Sequence, residues 1–142
     1  MTQIDFAALR RAACEALTRA YAPYSEFPVG AAAITSDGEL ITAGNVENVS
    51  YGLGLCAEVA LVSVGVARGS LGGLSGESRR LAAIAVVDAR GVALTPCGRC
   101  RQVLYEFGGG ELLVDGTDGP RPLAELLPDA FGPEHLAAVR ER

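Results

Sequence analysis

Leu81-Ala82-Ala83-Ile84-Ala85-Val86-Val87-Asp88 is a continuous apolar run rich in Val and Ile, the composition of a strand covered on both faces and central in its sheet. Beyond it, Thr95-Pro96-Cys97-Gly98-Arg99-Cys100 begins a helix over 97–107, with Pro96 suited to a helix start and Gly108-Gly109-Gly110 closing it. A further strand follows at 111–115. This succession of strand, helix and strand points to an α/β sandwich with helices on the faces of one mixed sheet.

The chain upstream agrees with that reading. Residues 5–20 place Phe6, Leu9, Ala13, Leu17 and Ala20 at amphipathic-helix spacing, with Arg10, Arg11, Glu15 and Arg19 opposite and Asp5 as N-cap. Pro23 ends that helix. Residues 29–35 and 39–43 read as two strands joined across Ser36-Asp37-Gly38, a hairpin signal. Gly30-Ala31-Ala32-Ala33 carries almost no side-chain bulk, which calls for a helix packed close over it. Residues 44–54 form a polar loop, and 56–68 a helix apolar on nearly every side from Val59 to Ala67, as expected of a core or an oligomer interface. A Gly- and Ser-rich loop spans 69–76, a helical turn 122–127, and a polar helix runs to Arg140. The chain shows neither repeat nor linker, so residues 1–142 are expected to form a single domain.

With a net charge of −5 and no basic cluster denser than Arg10-Arg11 or Arg79-Arg80, nucleic acid and anionic membrane are unsuitable partners. The stretch 1–5 lacks a basic segment followed by an apolar one, and the 59–67 run is too short to span a bilayer. A soluble cytoplasmic protein is expected, in which the 4 cysteines serve as metal ligands or buried thiols rather than disulfides.

Three of those cysteines and one acid stand in two short motifs, Cys56-Ala57-Glu58 and Cys97-Gly98-Arg99-Cys100. Three thiolates fill three corners of a zinc tetrahedron and leave one for water, the pattern of a catalytic rather than a structural site. Glu58 is then the carboxylate that moves protons to and from that water. Cys56 and Glu58 lie about 200° apart around an ideal helix, so they share a pocket only if Cys56 stands at the helix start, pointing end-on. Helix N-termini also stabilise thiolates. That matters because zinc with three thiolates carries a formal charge of about −1, which weakens its pull on water. Each motif has a plainer reading. A C-x-x-C also serves redox dithiols and structural zinc knuckles, although the latter needs a fourth ligand, for which only Cys14 and His135 remain. Cys14, beside the apolar stripe of the first helix, reads as a packed thiol, and His135 as a surface residue. An unpaired Glu58 inside an apolar helix is costly without a function.

The two motifs resemble the small homotetrameric cytidine deaminases. So do Tyr24-Ser25-x-Phe27-Pro28-Val29-Gly30-Ala31, Asn45-Val46-Glu47-Asn48 and Leu126-Leu127-Pro128-x-x-Phe131-Gly132-Pro133, at similar spacing over nearly the whole chain. The resemblance implies a three-layer α/β/α sandwich with a mixed five-stranded sheet. It also implies one Zn2+ per subunit on Cys56, Cys97 and Cys100, and deamination of cytidine and 2'-deoxycytidine, in pyrimidine salvage, by zinc-bound hydroxide attacking C4 with Glu58 as proton shuttle. By the same resemblance, Asn45 and Glu47 bind the ribose hydroxyls, Phe27 packs on the nucleoside, and backbone near Ala57 holds the base. Phe131 and Tyr51 reach into a neighbouring subunit's site. Many family members carry Arg directly after the catalytic Glu. Val59 stands there in this chain, so the helix N-termini, or Arg99 or Arg101, must balance the thiolates. Val59 also keeps open a deaminase of another cytosine nucleoside, such as the blasticidin S type. A polynucleotide deaminase is disfavoured by the charge, and a non-catalytic zinc scaffold has no use for Glu58.

Overall fold

The computed structural model describes residues 3–73 and 79–140. The element order is α1 (Phe6–Leu17), β1 (Gly30–Thr35), β2 (Leu40–Gly44), a 3-10 turn (Tyr51–Leu53), α2 (Ala57–Ala67), β3 (Leu81–Val87), α3 (Gly98–Gly108), β4 (Leu113–Val114), β5 (Arg121–Pro122), α4 (Leu123–Leu126) and α5 (Pro133–Arg140). The Gly- and Ser-rich loop expected at 69–76 lies partly outside the described residues.

The strands form one mixed sheet in the order β2-β1-β3-β4-β5, in which only β3 and β4 run parallel. Its side chains divide between two layers, because successive strand residues point to opposite faces. Ala32, Ala83, Ala85 and Val87 pack against Leu9 and Ala13 of α1. Ala31, Ala33, Ile84 and Val86 face Leu61 of α2 and Leu104 of α3. The result is an α/β/α sandwich, as expected.

Small residues on β1 let α1 come close. A Cβ added to Gly30 would stand 2.0 Å from the Ala13 carbonyl oxygen, so this position admits no side chain at all. Asp5 caps α1 by accepting from the Ala8 N–H at 3.0 Å. The hairpin turns at Gly38, whose φ of 89° lies in the left-handed region. Gly109, at φ 67°, ends α3 in the same way.

One expectation needs adjusting. The strand foreseen at 111–115 is only Leu113–Val114, and the fifth strand is two residues including Pro122, too short for any periodicity to reveal. α2, expected in a core or an oligomer interface, turns Leu61, Val62 and Gly65 to the core and leaves Val64 and Val66 exposed. Its outer face is therefore apolar and open to solvent in the single chain.

Candidate active site

Both cysteine motifs stand at helix starts. Cys56 is the N-cap of α2 and Cys97 the N-cap of α3, each with extended backbone, and Cys100 lies in the first turn of α3. α2 and α3 pack on the same sheet face, which brings their N-termini together. The three Sγ atoms lie within 4.8 Å of one another, and the cysteines are free. Neither Cys14 nor His135 belongs to this group among the described residues. The set is three soft donors with a fourth position left to a non-protein ligand, which fits zinc in its catalytic form.

The loop before α2 is fixed at its base. Val46 and Leu55 exchange two backbone hydrogen bonds, of 3.0 and 2.8 Å, which close 46–55 and deliver Cys56 to the helix start. The same loop is tied to the segment after α1, since Tyr21 N–H donates to Asn45 O and Glu47 N–H to Tyr21 O.

Electrostatics divide the three thiols. Burial raises the pKa of Cys56, and it raises that of fully buried Cys100 far more, with the Glu58 carboxylate adding to the rise. Burial pushes Cys97 upward too, but hydrogen bonds from the Cys100 and Arg99 backbone N–H groups and from the neighbouring thiols outweigh it, and the net direction is down. The N-terminus of α3 thus stabilises a thiolate directly. Glu58, only 4% exposed in the first turn of α2, has its pKa raised by burial, partly offset by hydrogen bonds to its own backbone N–H and to Cys100.

A cavity of about 420 Å³ opens over these groups. Cys56, Cys97, Cys100, Ala57 and Glu58 line its floor, and Asn45, Glu47 and Tyr51 its rim. Such a volume suits a small molecule. Asn45 and Glu47 do structural work as well. The Asn45 side chain accepts from Val29 N–H at 2.9 Å and donates to Phe27 O at 3.2 Å. Glu47 accepts from the backbone N–H groups of Tyr24 and Ser25 and from the Ser25 hydroxyl. Those bonds, with the Ser25 hydroxyl foremost, hold its pKa below the ordinary value. Nothing in local spacing marks Ser25 as a site residue, because its partner lies 22 positions away.

Two expected residues stand apart from the cavity. Phe27 and Phe131 are exposed and absent from its wall. Phe131 stacks on His135, ring centroids 5.2 Å apart. Tyr51, 80% exposed, lines the cavity, its ring centroid 6.2 Å from that of Tyr24. Of the two arginines considered as counter-charges, Arg99 lines the cavity, whereas Arg101 turns away to the carbonyls of Pro96 and Leu126. Thr95 and Leu94 also line the wall, and no spacing in the sequence marks them.

A thiol trio at two helix N-termini, with a buried carboxylate and a cavity above it, defines a metal-dependent hydrolase of the α/β class. Residues 5–115 match the family described as the cytidine and deoxycytidylate deaminase zinc-binding region. The chain is 54% identical over 140 residues to the cytidine deaminase of Mycobacterium tuberculosis, covering 99% of each. A crystal structure of cytidine deaminase from that organism superposes with a TM-score of 0.84 at 53% identity, covering 92% of this chain and 99% of that one. One from Burkholderia pseudomallei gives 0.76 at 43% identity, covering 90% and 100%. The chain belongs to this zinc-binding deaminase family.

Proposed function

We infer that this protein hydrolyses cytidine and 2'-deoxycytidine to uridine and 2'-deoxyuridine with release of ammonia, as one catalytic domain spanning residues 1–142. The observation that carries the reading is Glu58, a buried carboxylate with no cationic partner among the described residues, beside three clustered thiols under an open cavity. Cys56, Cys97 and Cys100 would hold the zinc. When bound, the metal supplies the Lewis acidity that makes water a competent nucleophile near neutral pH.

The remaining work falls to the chain. Glu58 accepts a proton from the attacking water, passes it to N3 of the base, and later helps the amino group depart as ammonia. Its pKa, raised by burial, suits a group that must both take and give a proton. Backbone at Ala57 holds the base. Asn45 and Glu47 take the two ribose hydroxyls: Glu47 is kept ionised and acceptor-only, while Asn45 offers both donor and acceptor. Phe27 packs on the nucleoside.

The chain works as a homotetramer in this reading, with Phe131 and Tyr51 serving a neighbouring subunit's cavity. Their exposure in the single chain and the open apolar face of α2 support it. Its partner is a small pyrimidine nucleoside, neither nucleic acid nor membrane. No helix among the described residues is long and apolar enough to cross a bilayer. Free thiols suit the reducing cytoplasm, where we place the protein for pyrimidine salvage.

Ultraviolet absorbance tests this directly. Zinc-replete protein mixed separately with cytidine, deoxycytidine, cytosine and blasticidin S should consume the first two and leave the last two largely intact. Preferential loss of blasticidin S would shift the assignment to that class. Survival of all four would remove the enzymatic reading.

A further inference from the structure

Arg101 follows Cys100 directly and is half-buried in α3. Its Nε donates to the Pro96 carbonyl at 2.8 Å and its Nη1 to the Leu126 carbonyl, also at 2.8 Å. Its backbone N–H donates to the Cys97 carbonyl at 2.9 Å. One residue thus holds two consecutive carbonyls of the chain entering α3, those of Pro96 and Cys97.

Each of the side-chain bonds meets a need. Pro96 is fully buried and precedes the N-cap, and among the described residues no backbone N–H reaches its carbonyl. A buried carbonyl without a partner is costly. Leu126 ends α4, a helix too short to satisfy its own last carbonyls. A planar guanidinium reaches both acceptors at once in fixed geometry, whereas an ammonium makes point contacts on a flexible stem. The next residue extends the tie, since the Gln102 Nε2 donates to the Phe131 carbonyl at 2.8 Å.

We propose that Arg101 is a positioning residue for the metal centre: by bridging the Pro96 and Leu126 carbonyls it fixes the direction in which Cys97 enters α3 and faces Cys56 and Cys100. The role rests on the reading of those three cysteines as zinc ligands. It differs from charge compensation, because the donors of Arg101 point at carbonyl oxygens. Two elements far apart in sequence are clamped to one loop, and the N-cap thiol between them is held where the other two thiols need it. Groups that orient metal ligands from behind commonly contribute about tenfold to a hundredfold in metal affinity or activity.

The test compares wild type, Arg101→Lys and Arg101→Gln, each zinc-loaded, with excess chromophoric chelator. Zinc release, kcat and KM for cytidine, and a urea unfolding curve are recorded side by side. Arg101→Gln should release zinc about ten to a hundred times faster while still folded, with Arg101→Lys between it and wild type. kcat should fall while KM changes by no more than about twofold, since no group facing the nucleoside is altered. A merely structural residue would lower the urea midpoint and leave release from the folded protein alone. Wild-type release rates in both variants, or release that follows only global unfolding, would overturn the proposal. Arg101→Lys keeps the charge and most of the stem, so it decides the matter if Arg101→Gln does not fold. Wild-type protein that binds no stoichiometric zinc would instead bring down the ligand assignment, and the positioning role with it.

Discussion

Glu58 and Glu47 line the same cavity and are pushed in opposite directions. Glu58, on the floor, is buried and its pKa rises, chiefly through desolvation. Glu47, on the rim, takes three hydrogen bonds from Tyr24 and Ser25 and its pKa falls, chiefly through the Ser25 hydroxyl. Two carboxylates of identical chemistry are thus fitted to different tasks by their surroundings alone. A carboxylate whose burial outweighs its few donors exchanges protons readily. One saturated with donors stays an anion and binds.

The floor is where a substitution should cost most. Glu58→Gln keeps the shape and removes the proton acceptor, so kcat should fall by about 10²- to 10⁴-fold, with zinc content unchanged. Near-normal turnover in that variant would reassign the proton shuttle. The same variant reports on stability. A raised folded pKa means that the native state binds more protons than the unfolded one between the two pKa values, so stability declines as pH rises through that window. Removing the group should flatten that decline in metal-free protein. Chemical unfolding from pH about 4 to 8 checks the sign. Function and stability pull against each other at this residue.

At the rim the effect should be smaller and of another kind. Glu47→Gln weakens an anion-assisted contact to the ribose, so kcat/KM should drop by about tenfold, carried mostly by KM. The pH signature also reverses. A depressed folded pKa contributes stability that is present above the unfolded value and is lost as pH falls through the folded one. Acid unfolding of Glu47→Gln should therefore begin at higher pH than in wild type. Loss in kcat alone would move Glu47 from binding to chemistry and erase the contrast with Glu58.

The parts of this architecture that were legible in the sequence are those with local causes. Asp37-Gly38 marks the hairpin, Pro96 and the following glycines bracket α3, and the side-chain-poor run from Gly30 foretells the close approach of α1. The Cys56-x-Glu58 spacing makes sense only at a helix start, and Cys56 is the N-cap. The remaining parts have distant causes. The Arg10–Asp115 ion pair, at 2.7 Å, joins residues 105 apart, and no pattern along the chain records it. β5 exists because Leu113 and Val114 offer an edge to Pro122 and Arg121, not because two residues prefer to be a strand. The tasks of Ser25 and Arg101 are hydrogen bonds across the fold, which residue type alone does not reveal.

Val59 offers the finest probe of the floor. It is half-buried in the first turn of α2, directly after Glu58. With no arginine there, the positive field over the thiols comes from two helix N-termini, each equivalent to roughly half a charge, and from Arg99 on the cavity wall. The backbone N–H bonds that lower the Cys97 pKa are the local expression of that field. Val59→Arg adds a full charge to it. At an effective dielectric of about 20, one charge several ångströms away shifts a neighbouring ionisation by on the order of one pKa unit, and solvent at a half-buried position reduces this. The acidic limb of the pH–rate profile should move down by at most about one unit, and zinc should be held more tightly. An unmoved profile with unchanged zinc retention would mean that the helix ends already saturate the electrostatic demand of the floor, and that Val59 has no electrostatic consequence for the reaction.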